Sequence, residues 1–321
     1  MNIDNILVLV RLDEDQLKKI KSVVPQAEIV LQKPKELTRE QVERADIIVG
    51  NIHSEFLPYL KNTKLLQLLS SGVSKKYLSL HQTAPDCILC SASGAYGPAI
   101  SEYMLAGLLM MMQRLHLYRD DRHKGEWKPR EDARLLRDAK VLSVGMGDIG
   151  TSFGRLCSLL GAQVTGIRRR KTSPPPFIER IAGIDELDLL LPQMDVVALA
   201  LPETAQTLGV MNRERFEAMK DGSYFMNVGR GSAVDQEALL WALRSGKLAG
   251  ALIDVMDPEP LPPEHPLWQE ERLMITPHIS GQYHSQETQN ELIELVCKNI
   301  EALKTGGEMT ARVDFESGYR E

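Results

Sequence analysis

Gly145, Gly147 and Gly150 in "VLSVGMGDIG" follow an apolar, strand-like run and open a segment of helical periodicity. In that setting the first glycine makes a tight turn, the second lets the backbone approach a pyrophosphate, and the third allows close packing of helix on strand. Backbone N–H groups at the helix start, together with its positive dipole end, suit a phosphate. Asp148 and Ile149 open that helix and are placed with the glycines at the expected nucleotide. At the end of the next strand, "VTGIRRRKTSPPP" sets Arg168 where NAD-binding folds carry an Asp or Glu for the ribose hydroxyls. An arginine cannot accept from a ribose, but it can donate bidentately to a 2′-phosphate. Arg168 and Arg169 are therefore expected to bind that phosphate and to favour NADP(H), with NAD(H) as the alternative cofactor, while Arg170 and Lys171 read as a solvated loop.

Three further ionisable residues stand at the ends of late strands: Arg230 in "FMNVGRGSAVD", Glu259 in "LIDVMDPEPLP" and His278 in "LMITPHISG". Singly, each has an ordinary reading as a surface arginine, a rigid acidic turn between two prolines, or a satisfied histidine. Their shared location beyond a nucleotide fold, at the edge where doubly wound sheets bind ligands, makes them candidates for a joint site.

The elements that must position these residues come in two series. Five short apolar runs, "ILVLV", "EIVL", "DIIVG", "KLLQLLS" and "CILCSA", alternate with helical patterns over the first 94 residues, and Thr38 to Gln41 forms a plausible capping box. A single long helix is expected from Pro98 to about Arg122, with its apolar middle, Met104 to Met112, buried on more than one side. Six more runs follow: "KVLSVG", "QVTGI", "DVVALAL", "SYFMNVG", "LAGALIDV" and "LMITPHI". A final helix from about Ser285, carrying Leu292, Leu295, Val296 and Ile300, comes after the second series is complete and is expected to return to the first. The prediction is an α/β protein with two doubly wound parallel sheets, residues 1–94 plus 285–321 forming one domain and 95–284 the other.

Composition narrows the function. The 321-residue chain has a formal net charge of −6, which argues against a broad nucleic-acid-binding surface. Its most apolar segment, "YMLAGLLMMM", is too short to span a bilayer, and the N-terminal run reads as a strand rather than a signal peptide. A soluble, cytoplasmic protein is expected. Cys87, Cys90, Cys157 and Cys297 are too few and scattered for a disulfide framework. In a strand, the spacing of "CILC" points its two sulfurs to opposite faces, so buried thiols are expected and no metal site.

These motifs, in this order, resemble the D-isomer-specific 2-hydroxyacid dehydrogenases, including glyoxylate and hydroxypyruvate reductases. The resemblance covers nearly the whole chain and is strongest in "GAYGPAISEYMLAGLL", "VLSVGMGDIG", "LALPETAQT", "MNVGRGSAVDQEALLWAL", "GALIDVMDPEPLP" and "ITPHISG". It implies a flavodoxin-like substrate domain, a Rossmann cofactor domain and a homodimer. It implies that Arg230 holds the substrate's carboxylate and carbonyl oxygen, that His278 protonates the carbonyl as hydride arrives, and that Glu259 pairs with the imidazole. Pro202 and Asp254 match cofactor positions, the latter near the nicotinamide carboxamide, and Gly72 and Val73 in "LLSSGVS" match a loop whose N–H groups grip the carboxylate. Ser74 departs from the Asp of many relatives. The expected activity is reduction of a small 2-oxo acid to a D-2-hydroxy acid by NAD(P)H. The same motifs also resemble nucleotide-sensing C-terminal binding proteins, which gives a non-enzymatic alternative, and Lys75 or Lys76 would suit a phosphorylated acid.

Overall fold

A computed structural model gives the structure of the protein for residues 2–169, 173–283, 285–315 and 319–320. Arg170 and Lys171 lie outside the described residues. The chain divides into two compact units, Met1–Tyr96 with Tyr283–Glu321, and Gly97–Gln282.

The first unit runs β1 (Asn5–Val8), α1 (Glu14–Val23), β2 (Glu28–Leu31), α2 (Arg39–Arg44), β3 (Ile47–Val49), β4 (Leu65–Gln67), α3 (Leu80–Thr83) and β5 (Ile88–Cys90). All five strands are parallel in the order β2-β1-β3-β4-β5, the flavodoxin-like arrangement. The inner strands are short runs of Ile, Leu and Val because both sheet faces are covered, so hydrophobicity does not alternate along them. Both capping boxes that start its helices are formed, Asp13 with Gln16 and Thr38 with Gln41. One face packs Ile6, Val8 and Ile47 with Ile20 of α1 and with Ile293, Val296 and Ile300 of the final helix, Gln286–Thr305. On the other face, Leu7, Ile48 and Leu66 pack with Leu60, Tyr77 and Leu80.

The second unit opens with α4 (Gly97–Met112) and α5 (Leu115–Lys124). The one long helix expected from Pro98 to Arg122 is thus two. Arg114, at φ 59, lies in the left-handed region, where it closes α4 and opens α5. No glycine or proline marks the break, so the helical periodicity reads straight through it. In the middle of α4, Met104, Leu108, Met111 and Met112 are buried and a Cβ on Gly107 would come within 2.5 Å of Leu252, whereas Ala106 is exposed.

The sheet of this unit follows with β6 (Lys140–Val144), α6 (Asp148–Leu159), β7 (Gln163–Ile167), β8 (Arg180–Ala182), α7 (Leu187–Leu190) and β9 (Val196–Leu199). After these come α8 (Arg213–Ala218), β10 (Ser223–Asn227), α9 (Gln236–Arg244), β11 (Leu248–Ile253) and β12 (Leu273–Ile275), and the final helix of the chain is α10. The seven strands are parallel in the order β12-β11-β10-β9-β6-β7-β8, one more than the six expected. The addition, β8, is a three-residue edge strand, too short and too charged at Arg180 to show a pattern. Helix α6 buries Gly150, Phe153, Gly154 and Cys157, and Leu160 just past its end is exposed. Small residues let this helix lie close to the sheet, because a Cβ on Gly154 would come within 3.2 Å of Val164 of β7.

All four cysteines are buried and free. Burial pushes the thiols of Cys87 and Cys157 up to about 12 and that of Cys297 to about 11, which keeps them protonated and inert. Among the described residues no helix is long and apolar enough to cross a membrane, and no group of His, Cys, Asp and Glu could hold a metal ion.

Candidate active site

The chain reverses direction across the sheet at β6, flanked by β7 on one side and β9 on the other, and the crevice beyond the carboxyl ends of such strands is where doubly wound sheets bind ligands. The glycine loop stands there. Gly145 has φ +104, and a Cβ on it would come within 2.6 Å of the Ala200 carbonyl; a Cβ on Gly150 would come within 2.3 Å of the Gly145 carbonyl. The N–H groups of Gly145 and Met146 both donate to the Ile167 carbonyl at 3.0 Å, which ties the turn to β7. Gly147 is the N-cap of α6, and no side chain caps the helix. The helix start and the turn before it are lined by glycines. A pyrophosphate fits this arrangement on chemistry and on space.

At the end of β7, Arg168 donates its backbone N–H to Ala182 of β8 at 3.0 Å, while the Arg168 and Arg169 side chains are exposed. Neither guanidinium has a hydrogen-bond partner or ion pair among the described residues. Pro202, just past β9, is half-buried and its carbonyl accepts from the Thr207 hydroxyl at 2.6 Å, closing the loop that follows.

Glu259 and His278 are brought together. One carboxylate oxygen of Glu259 accepts the Met256 N–H at 3.0 Å and the other lies 2.9 Å from Nδ1 of His278. Since a carboxylate only accepts, Nδ1 carries a proton and Nε2 is the nitrogen left to face a substrate. His278 is half exposed, at 51% of its side-chain surface, and so is open to solvent-borne ligands. Arg230 is tied to the same loops. Buried Asn227 donates to the Arg230 carbonyl at 2.9 Å and accepts the Gly229 N–H at 3.0 Å. The next residue, Gly231, admits no side chain, because a Cβ there would come within 2.0 Å of the Met256 backbone. The loop carrying Arg230 therefore rests directly on the loop carrying Glu259.

Asp254 is placed differently from a simple ligand contact. It is buried, and its carboxylate accepts from the Thr276 hydroxyl at 2.6 Å, the Ile279 N–H at 2.9 Å and the Ser280 N–H at 3.0 Å. Its carbonyl accepts the His278 N–H at 2.9 Å. His278 has φ 53, a conformation costing a residue with a Cβ about 1–3 kcal/mol that persists only where surrounding bonds hold it.

The loop with Gly72 and Val73 belongs to the first unit, after β4. Both residues are half-buried. Asn51 accepts the Leu69 N–H at 3.0 Å, Tyr96 donates to the Leu69 carbonyl at 2.5 Å, and Ser70 donates to the Gly72 carbonyl at 2.8 Å. Buried Gln67 and Asn299, joined at 2.7 Å, fix the strand end beneath. Ser74 is exposed and starts the turn leading to Tyr77 without capping it. Sequence reasoning missed Asn51, Gln67, Asn227, Thr276 and Asn299. For Gln67 and Asn227 there was a signal, a polar residue closing an otherwise apolar strand.

The D-isomer specific 2-hydroxyacid dehydrogenase NAD binding domain model matches residues 105–280, more than half of the chain, and the chain belongs to that family. It therefore stands among NAD(P)-dependent oxidoreductases acting on small 2-hydroxy acids. Solved structures agree on the fold. A D-isomer specific 2-hydroxyacid dehydrogenase family protein from Aeromonas salmonicida is 27% identical with a TM-score of 0.84, over 98% of this chain and 100% of that one. A D-isomer specific 2-hydroxyacid dehydrogenase from Xanthobacter autotrophicus, in complex with NADPH and MES, is 24% identical with a TM-score of 0.83, over 99% and 100%. An NADPH-dependent glyoxylate/hydroxypyruvate reductase from Sinorhizobium meliloti, in complex with NADP and sulfate, is 24% identical with a TM-score of 0.81, over 98% and 100%.

Proposed function

We propose that this chain is a cytoplasmic, NADPH-preferring reductase of small 2-oxo acids, glyoxylate and hydroxypyruvate among them, giving D-2-hydroxy acids. The observation that carries the reading is the Glu259–His278 pair at 2.9 Å, with Nε2 left open at the carboxyl edge of the nucleotide-binding sheet. When bound, the nicotinamide cofactor supplies a hydride to the carbonyl carbon. His278 gives its Nε2 proton to the carbonyl oxygen, and Glu259 holds the ring in place by Nδ1. Arg230 offers a planar fork to the carboxylate. Gly145, Gly147, Asp148, Ile149 and Gly150 receive the pyrophosphate, Pro202 and Asp254 flank the nicotinamide half, and Arg168 with Arg169 takes the 2′-phosphate. In the first unit, Gly72 and Val73 offer backbone N–H groups to a carboxylate. The NADPH and NADP bound in the Xanthobacter and Sinorhizobium proteins support the cofactor choice. Half-buried Leu109 and Met110 of α4, followed by exposed Leu115 and Tyr118 of α5, support a homodimer.

The test is a panel of 2-oxo acids assayed with NADPH and with NADH. Wild type should consume NADPH with at least one small 2-oxo acid, and His278→Asn should lower kcat by about 10²–10⁴-fold with nucleotide affinity retained. Nucleotide binding without turnover across the panel would overturn the reading in favour of a sensor.

A further inference from the structure

We infer that Tyr103 of α4 is a positioning residue for His278, acting through Thr276 and Asp254; this rests on the proposed role of His278 as the acid. The Tyr103 hydroxyl lies 2.5 Å from Oγ1 of Thr276, and Thr276 donates to the Asp254 carboxylate at 2.6 Å. A threonine has one hydroxyl proton and a carboxylate only accepts, so the proton of Thr276 is committed to Asp254 and Tyr103 must be the donor to Thr276. The chain therefore has a direction, Tyr103 to Thr276 to Asp254. Burial, aided by the charge of Asp254, holds the Tyr103 phenol well above its ordinary value of 10, so it remains a donor at any working pH.

The chain ends on the turn that carries the acid. Asp254 collects three successive N–H groups, that of His278 on its carbonyl and those of Ile279 and Ser280 on its carboxylate. These bonds keep His278 at φ 53, which a histidine does not choose unaided. Two supports then aim the imidazole. Glu259 fixes the rotation of the ring through Nδ1, and the Tyr103–Thr276–Asp254 chain fixes the backbone from which the ring projects. Removing the Tyr103 hydroxyl strips Thr276 of its donor and loosens the orientation of the Asp254 carboxylate, while neither Tyr103 nor Thr276 is itself assigned to substrate or nucleotide.

The experiment compares Tyr103→Phe, Thr276→Val and Thr276→Ser in the full-length protein. The first two should lower kcat by about three- to tenfold, the span of one modest hydrogen bond, with KM for the oxo acid and affinity for NADPH within about twofold of wild type. Thr276→Ser keeps the hydroxyl and should restore kcat. An activity-independent readout is the pair of imidazole ¹⁵N signals of His278, which should move in Tyr103→Phe and Thr276→Val and return in Thr276→Ser. A purely structural role would lower Tm while leaving kcat and these signals unchanged, and that result overturns the inference. If Tyr103→Phe fails to fold, the valine and serine pair decides. If wild type turns over no 2-oxo acid, the proposed function falls, and the ¹⁵N signals alone still decide whether Tyr103 positions the ring.

Discussion

In the first unit β1 leads through Leu9, Val10, Arg11 and Leu12 to Asp13, whose carboxylate accepts the Gln16 N–H at 2.8 Å and closes the start of α1. In the second unit β6 leads through Gly145 and Met146 to Gly147, and the start of α6 has no side-chain cap. Each strand has a parallel neighbour on either side, but four residues separate β1 from Asp13 and only two separate β6 from Gly147. The units even share an anchor: a carboxylate just before the next strand inward catches the first N–H groups of the central strand and pairs with a lysine. Asp46 accepts from Asp4 at 2.8 Å, Asn5 at 3.0 Å and Lys64 at 2.7 Å, and Asp195 accepts from Lys140 at 2.8 Å and Lys220 at 2.6 Å. What separates a sheet that can seat a dinucleotide from one that cannot is therefore local. The first helix keeps its own carboxylate cap in one unit and has none in the other, and on the proposed function that helix start is where the phosphates lie.

The strongest way to break this contrast is to give the second unit the cap of the first. Gly147 has φ −87 and ψ −151, which any residue adopts, so Gly147→Asp should fold with apo stability changed by only a few tenths of a kcal/mol. Its carboxylate would occupy the helix start and repel the phosphates, and nucleotide affinity by calorimetric titration should fall by about 100-fold or more. Retained affinity would show that the open helix start is not the phosphate site. Next in size, Arg168→Ala with Arg169→Ala should reduce the preference for NADPH over NADH by about tenfold or more, with NADH affinity nearly constant. An unchanged ratio of the two dissociation constants would leave these arginines as solvated charges.

In the first unit, Asp13→Ala should cost about 1 kcal/mol in denaturant unfolding and Asp13→Gly much less, because glycine is itself tolerated at that position. Equal losses would mean that the carboxylate contributes through charge rather than capping. The smallest effect tests the shared anchor. Burial opposes ionisation of Asp46 and Asp195, yet the bonds from Lys64 and Lys220 and from the backbone outweigh it, so both carboxyls titrate below the ordinary 3.8. A depressed folded-state value gives stability that is present above the unfolded value and lost as pH falls through the folded one. Asp46→Asn and Asp195→Asn should therefore destabilise the protein near neutral pH and converge on wild type below about pH 3.8 in acid-unfolding curves. Parallel curves at all pH values would remove the charge from the anchor.

Eleven strands were legible as runs of Ile, Leu and Val bounded by turn residues, because sheets covered on both faces demand such runs regardless of what lies beyond them. The glycine loop and the late Arg, Glu and His were legible for a related reason, since each answers to a backbone constraint or a chemistry that few residues satisfy. Arg114 was not, because its left-handed backbone falls on a residue type that does not mark such a conformation, with no glycine or proline beside it. The "DEDQ" at Asp13 carries a capping-box pattern like that at Thr38, so this cap too is legible in the sequence. Thr276 was invisible, since a threonine beside a proline says nothing of the tyrosine far earlier in the chain that will donate to it.

The core of the first unit draws Ile6, Val8 and Ile47 from one stretch of chain and Ile293, Val296 and Ile300 from α10. During synthesis the strands emerge early, but one face of their sheet lacks its cover until all of Gly97–Gln282 has been made, a wait on the order of ten seconds or longer at about 5–20 residues per second. The second unit, contiguous in sequence, can complete its core in the meantime. The part of the protein that leaves the ribosome first is therefore expected to be the last to become native, and its waiting apolar strands are where a chaperone would be needed.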